Sequence, residues 1–206
     1  MPTPLAKDPY DELVNDLAYS YERVFSRETV AAAVAEAREL LEPRAKVRTY
    51  LPVLVARQAR EQLMSAAQAE GRIAKKVPEL LFVCVHNAGR SQMAAALAEH
   101  LSARRVHVRS AGSHPASEVN PVVVRALEER GIPLTTPYPK PLSTSVLRAA
   151  DAIITMGCGD ACPVYPGKRY EDWDVADPAG QPLEVVRDIR DDIQGRVTVL
   201  LRDILD

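Results

Sequence analysis

The octapeptide CVHNAGRS, Cys84 to Ser91, combines a thiol, an arginine six positions later and a hydroxyl beside it, with the small residues Ala88 and Gly89 between them. A chain that leaves a strand at Cys84 and enters a helix near Ser91 turns successive backbone N–H groups into one concavity. The unpaired donors of the helix's first turn join them, and together they form a nest for a tetrahedral anion. Arg90 adds a planar fork that matches two oxygens of such an anion, which lysine does not offer in the same geometry. The same positive field favours the thiolate of Cys84, the nucleophilic form of cysteine. Ser91 is placed to donate a hydrogen bond to that sulfur, and Asn87 to brace the loop through its amide. The backbone from Val85 through His86, Asn87, Ala88 and Gly89 to Arg90 and Ser91 is therefore the expected anion-binding segment.

A loop of this kind needs a strand before it and a helix after it, and the flanking residues supply both. Leu80 to Val83 is a short apolar run of the sort a parallel strand buried on both faces requires. From residue 79 onward helix and strand signals alternate, with strands expected near 79–84, 105–110, 151–156 and 169–173. Helices are expected near 91–103, 119–130, 144–150 and 183–205. This alternation predicts an α/β domain with a parallel sheet covered by helices, whose ligands bind beyond the C-terminal ends of the strands. Cys84 stands at one such end.

Before residue 79 the period is helical. Asp8 with Pro9 behind it reads as an N-cap and first helical position, followed by a face of Tyr10, Leu13, Val14, Leu17, Tyr21 and Val24. Ser26 caps a second helix with the stripe Val30, Ala33, Val34, Ala37, Leu40 and Leu41, stopped by Pro43. Thr49 is the expected cap of a third, with Pro52 in its first turn, Leu51, Leu54, Val55, Ala59 and Leu63 facing inward, and Gly71 past its end. Residues 1–72 thus read as a three-helix bundle, 73–78 as a linker and 79–206 as the α/β domain.

The totals narrow the function classes. The chain has 206 residues, 47% of them hydrophobic, and a formal net charge of −2, so no general field attracts nucleic acid or anionic membrane, and an anion site must be local. Residues 1–70 hold nine Lys or Arg against eleven Asp or Glu without a one-sided cluster, which speaks against a nucleic-acid-binding bundle. No run approaches the roughly 20 apolar residues of a membrane span, and the N-terminus lacks the apolar core of a secretion signal, so the expectation is a cytoplasmic protein. Three cysteines are too few and too clustered for a secreted disulfide scaffold.

Together with SAGSHPASEVNP (110–121) and DWDVADP (172–178), the CVHNAGRS loop after LLFV resembles the low-molecular-weight tyrosine phosphatase family, and most closely its arsenate reductase branch. The resemblance covers about residues 79–206. It implies a four-stranded parallel sheet flanked by helices, Cys84 as nucleophile, Arg90 as oxyanion clamp and Asp177 as the carboxylate approaching from a facing loop. The helical extension is outside the minimal family pattern.

Phosphate and arsenate are tetrahedral oxyanions of similar size and charge, so the cradle alone fits a hydrolase as well as a reductase. Converting As(V) to As(III) needs two electrons, and thiols are the stored reductant visible in the chain. TMGCGDACPV (155–164) carries the other two, Cys158 just after the strand at 151–156 and Cys162 four residues on. The expected sequence is attack of Cys84 on arsenate, release of arsenite by Cys158, and resolution of the Cys84–Cys158 disulfide by Cys162. The three-thiol branch of the family is recycled by thioredoxin, itself reduced from NADPH through thioredoxin reductase, and no bound cofactor is implied. Zinc usually takes four ligands from paired residues, and no second Cys or His pair accompanies Cys158 and Cys162. Tyrosine phosphatases of this fold commonly carry an aromatic after the Asp-Pro pair, where this chain has Ala179 and Gly180.

The expected partners are thus arsenate, with phosphate or sulfate as mimics, and thioredoxin. The alternative is a low-molecular-weight tyrosine or small-molecule phosphatase, and a more distant one a non-catalytic oxyanion sensor. Asp172 and Asp174, which flank Trp173, read as solvated strand-end residues, with either as an alternative to Asp177 for the acid. His86 is expected on the loop surface, while His100, His107 and His114 have no assigned partner. Monomer and dimer through the helical domain both remain open.

Overall fold

The computed structural model describes residues 8–45, 48–134, 138–158 and 163–206. The chain divides into two compact units, Met1–Ala74 and Lys75–Asp206.

The first unit holds α1 (Pro9–Ser20), α2 (Arg27–Leu41) and α3 (Leu51–Ala69). Asp8 accepts from the N–H of Tyr10 and Ser26 from that of Thr29, so two of the expected caps form. The third does not. Arg48–Tyr50 is a 3-10 turn, and Tyr50 enters α3 at φ −94°, ψ −3° with no side-chain cap. The chain is already helical where Thr49 would need the extended backbone of an N-cap. At its far end α3 closes on Gly71 at φ +67°, with Gly71 N–H donating to the carbonyl of Gln68 and Arg72 N–H to that of Ala67. That pair of bonds is the Schellman arrangement. Leu17, Val30, Val34, Ala37, Val55, Ala59 and Leu63 are buried, the predicted stripes of three amphipathic helices packing on one another.

The second unit contains β1 (Glu79–Cys84), α4 (Arg90–Ser102), β2 (His107–Gly112), α5 (Pro121–Glu128), α6 (Thr144–Ala149), β3 (Ala152–Met156), β4 (Arg169–Asp172) and α7 (Leu183–Leu205). The four strands form one parallel sheet in the order β2-β1-β3-β4. β1 is therefore central, and its side chains alternate between two cores. Leu80, Phe82 and Cys84 pack with Met93, Leu97, Val123, Leu127, Ile189 and Ile193 on the side of α4, α5 and α7. Leu81 and Val83 pack with Ala111, Val146, Leu147 and Ile153 on the side of α6.

β2 begins two residues later than the apolar pattern predicts. Ala103 and Arg104 both adopt positive φ and Arg105 N–H turns back to the carbonyl of Ser102, so leaving α4 consumes the residues expected to start the strand. The displacement matters at the other end, because it extends β2 to Gly112, directly beside Cys84.

Candidate active site

Cys84 is the last residue of β1 and Arg90 the first of α4, so the five intervening residues make the whole turn from strand to helix. The segment after β2 shapes that turn. Ser113, His114, Ala116 and Asn120 donate their N–H groups to the carbonyls of Cys84, Val85, His86 and Ala88 in succession. With its carbonyls drawn outward, the loop keeps its amides for the inner side, and the N–H of Asn87 points at Cys84 Sγ from 3.2 Å. Gly112 makes this approach possible: a Cβ there would lie 2.7 Å from the Val85 carbonyl oxygen and 2.9 Å from Asn87 N.

Asn87 is fully buried and holds φ +47°, a conformation Asn tolerates better than most residues. Its Oδ1 accepts from the backbone N–H of Lys140 at 2.8 Å and from Gln92 Nε2 at 3.0 Å. The backbone donor fixes which amide atom is which. Nδ2 consequently donates to Ser91 Oγ at 2.7 Å, which leaves the hydroxyl proton of Ser91 directed to Cys84 Sγ, 3.0 Å away. Two donors thus converge on a sulfur that is 2% exposed.

Arg90 lies over the mouth of the loop. Its Nη2 donates to Asp177 Oδ2 at 2.7 Å and its Nη1 to the Val175 carbonyl at 3.3 Å. Gly157 gives it room, since a Cβ at that residue would stand 2.9 Å from Nη1. Asp177 also accepts the N–H of Ala179 through Oδ1. Pro178 seats its ring on Gly89, where a Cβ would come within 2.6 Å of Cγ. The other two candidate acids are placed elsewhere: Asp172 accepts from Thr155 Oγ1, and Asp174 is exposed and does not line the cleft. Cys84, His86, Ala88, Gly89, Arg90, Ala116, Asn120, Asp177, Pro178 and Ala179 enclose about 200 Å³, room for an inorganic oxyanion with shallow apolar walls. His86 is exposed at its rim.

Cys158 follows β3, whose Met156 is the register partner of Cys84. It is 7% exposed and packs with Leu81, Val83, Val146 and Ile153, the sheet face opposite Cys84. Cys162 falls outside the described residues. Cys84 is not in a disulfide, and no group of metal ligands occurs among the described residues. No helix among them is long and apolar enough to cross a membrane.

Four contributors escape a reading of the loop motif alone: Gln92, Gly112, Asn120 and Gly157. Gly112 and Asn120 sit in the motif SAGSHPASEVNP, where Asn-Pro before an apolar run signals a helix cap. Nothing local announces the other two.

Residues 79–205 match the model of the low molecular weight phosphotyrosine protein phosphatase family, and residues 11–67 that of a protein-tyrosine-phosphatase-like N-terminal domain. The solved thioredoxin-dependent arsenate reductase of Corynebacterium glutamicum is 44% identical, with 98% of each chain covered and a TM-score of 0.85. The chain belongs to the arsenate reductase branch of the low-molecular-weight phosphatase family. Its helical extension is thus shared with a relative aligned over almost its full length. Two further relatives match about three fifths of the chain. A candidate arsenate reductase of Halobacterium salinarum is 43% identical over 124 residues, 58% of this chain and 87% of that protein. The glutaredoxin arsenate reductase of Synechocystis is 35% identical over 129 residues, 61% of this chain and 98% of that protein.

Proposed function

We propose that the chain reduces arsenate to arsenite at Cys84 and passes the resulting oxidation through Cys158 to Cys162, where thioredoxin restores the dithiol. Arsenate enters the cradle and draws the guanidinium of Arg90 from Asp177. The Cys84 thiolate bonds to arsenic, and a hydroxyl of arsenate leaves as water with a proton from Asp177. Cys158 as thiolate then attacks Cys84 Sγ; the S–As pair passes to arsenic, which leaves as arsenite, and a Cys84–Cys158 disulfide remains. Cys162 attacks Cys158, forming Cys158–Cys162 and returning Cys84 as thiolate. Two electrons go to arsenic and two come from the protein's thiols, so a dithiol donor closes the cycle.

The observation that carries this reading is the register of β1 and β3, in which Cys84 pairs with Met156 and the next thiol is two residues beyond. A hydrolase needs no second sulfur at that strand end. Thioredoxin is favoured as donor because the relative that spans both units is thioredoxin-dependent, while the glutaredoxin-linked relative aligns with 61% of the chain.

The test supplies arsenate, thioredoxin, thioredoxin reductase and NADPH and follows NADPH loss. The expected result is turnover that vanishes in Cys84→Ser, with Cys162→Ser completing one turnover and accumulating a Cys84–Cys158 disulfide detectable by peptide mass. NADPH loss no faster than in the Cys84→Ser control overturns the reading, and rapid p-nitrophenyl phosphate hydrolysis in its place assigns a phosphatase.

A further inference from the structure

We infer that Asn120 is a positioning residue that holds the Asp177 loop over the cradle once an anion has claimed Arg90. The inference rests on the reading of Asp177 as proton donor. In this structure the loop is tied down by Arg90, which bonds both Asp177 and the Val175 carbonyl. An oxyanion competes for the same guanidinium, so these ties weaken at the moment the carboxyl is needed.

Asn120 supplies a tie that does not pass through the arginine. Its backbone N–H donates to the Ala88 carbonyl at 2.9 Å, on the outer side of the anion loop. Its Oδ1 accepts the N–H of Val122 at 2.9 Å and caps α5. Because that backbone donor fixes the amide's orientation, Nδ2 faces the Pro178 carbonyl, 3.2 Å away. One side chain therefore joins the anion loop, a helix start and the residue after Asp177. The Pro178 ring, seated on Gly89, completes the attachment. A carboxyl displaced by about 1 Å from its reacting position is enough to cost on the order of 100-fold in rate.

Asn120→Asp separates this tie from the cap. The carboxylate still accepts from Val122, and the backbone bond to Ala88 is untouched, but the donor to Pro178 is gone. Asn120→Ser keeps a good capping oxygen on a side chain too short to reach Pro178 and serves if the first variant folds poorly.

The measurement is the single-turnover rate of arsenite formation by fully reduced protein, compared among wild type, Asn120→Asp, Asn120→Ser, Asp177→Asn and the double variant of Asn120→Asp with Asp177→Asn. Anion binding is read separately as protection of Cys84 from iodoacetamide by inorganic phosphate. The expected result is a rate about 10-fold to 100-fold lower in Asn120→Asp and in Asn120→Ser, phosphate protection in the uncharged Asn120→Ser within about threefold of wild type, and a double variant no slower than Asp177→Asn. A wild-type rate in Asn120→Asp beside a slow Asp177→Asn overturns the inference alone. So does a double variant in which the two losses multiply, or a parallel collapse of phosphate protection in Asn120→Ser. A wild-type rate in Asp177→Asn removes the reading of Asp177, and this inference with it.

Discussion

Asn87 is the residue on which the sulfur's environment depends, and two substitutions divide its roles. Truncation to Ala removes three hydrogen bonds: those with Lys140 N–H, Gln92 Nε2 and Ser91 Oγ. At about 1 kcal/mol each they amount to about 3 kcal/mol, and an Ala at φ +47° adds about 1 kcal/mol of backbone strain. A loss of about 4 kcal/mol is a large share of a domain's stability. Asn87→Asp is the informative partner. It keeps both acceptor bonds but replaces the donor that faces Ser91 with an acceptor. The Ser91 hydroxyl then turns toward the new carboxylate, and Cys84 Sγ loses a donor worth about 1.5–3 kcal/mol toward an anion. Iodoacetamide labelling of Cys84, followed by peptide mass, should therefore slow by roughly several-fold, because the sulfur has lost one of its two donors. Urea unfolding of the same variant should show a smaller loss than Asn87→Ala. Wild-type labelling in Asn87→Asp would refute the orientation of Ser91 by Asn87, whatever the stability.

Three further outcomes follow from single positions. Gly112→Ala should lower phosphate protection of Cys84 by about tenfold or more, because the new Cβ meets backbone atoms of Val85 and Asn87 that cannot swing aside; unchanged protection would show that the loop has slack. Glu79 is buried against Arg109 at 2.9 Å and His107 at 3.3 Å. Burial pushes its carboxyl up, but the bonds from His107 and Arg109 outweigh this and hold it at about 2. The native state thus binds this proton less readily than the unfolded chain, so the contribution is complete above about pH 5 and drains away as pH falls from 4.5 toward 2. Its size is roughly 3 kcal/mol, and Glu79→Gln should flatten the stability profile over that interval in urea titrations. Asp172→Asn should leave arsenite formation within about twofold of wild type, since Asp172 is engaged with Thr155; a large loss would move the acid from Asp177.

The sheet and its helices were legible because each rests on a local signal. Asp8 and Ser26 cap the helices they precede, and the apolar run before Cys84 is a strand buried along its length. The juxtaposition of Cys84 and Arg90 was legible for the same reason, since one turn of chain contains both. What stayed hidden joins residues distant in sequence. Lys140 reaches Asn87 across 53 positions, Arg90 reaches Asp177 across 87, and Asn120 reaches Pro178 across 58. The start of β2 was misplaced because the left-handed exit from α4 uses Ala103 and Arg104, residues without the usual glycine signal for positive φ. The missed cap at Thr49 has a similar origin: a 3-10 turn merges with the helix ahead of the residue that sequence would choose.

The side of the sheet on which Cys158 lies also escapes a period-two reading, and it bears on how the proposed relay would be timed. Ala152, Ile154 and Met156 share the core of Cys84, so strict alternation would put residue 158 on that side too. Gly157 at φ +72° reverses the chain, and Cys158 packs instead beneath α6. In this arrangement Cys84 and Cys158 pack in different cores, and in the proposed relay that placement would guard against a disulfide formed without arsenate. Gly157→Ala tests both duties of the glycine. An Ala at this φ is strained by about 1 kcal/mol or more, and the strain is relieved by returning residue 157 to ordinary backbone, which carries Cys158 back toward the face of Cys84. The added methyl also presses on Arg90 Nη1. The expected outcome in a Cys162→Ser background is faster formation of the Cys84–Cys158 disulfide under diamide without arsenate, together with weaker phosphate protection of Cys84. Slower disulfide formation with intact protection would mean that the glycine holds the thiols near one another, and the separation of the two cores would then not be what delays the relay.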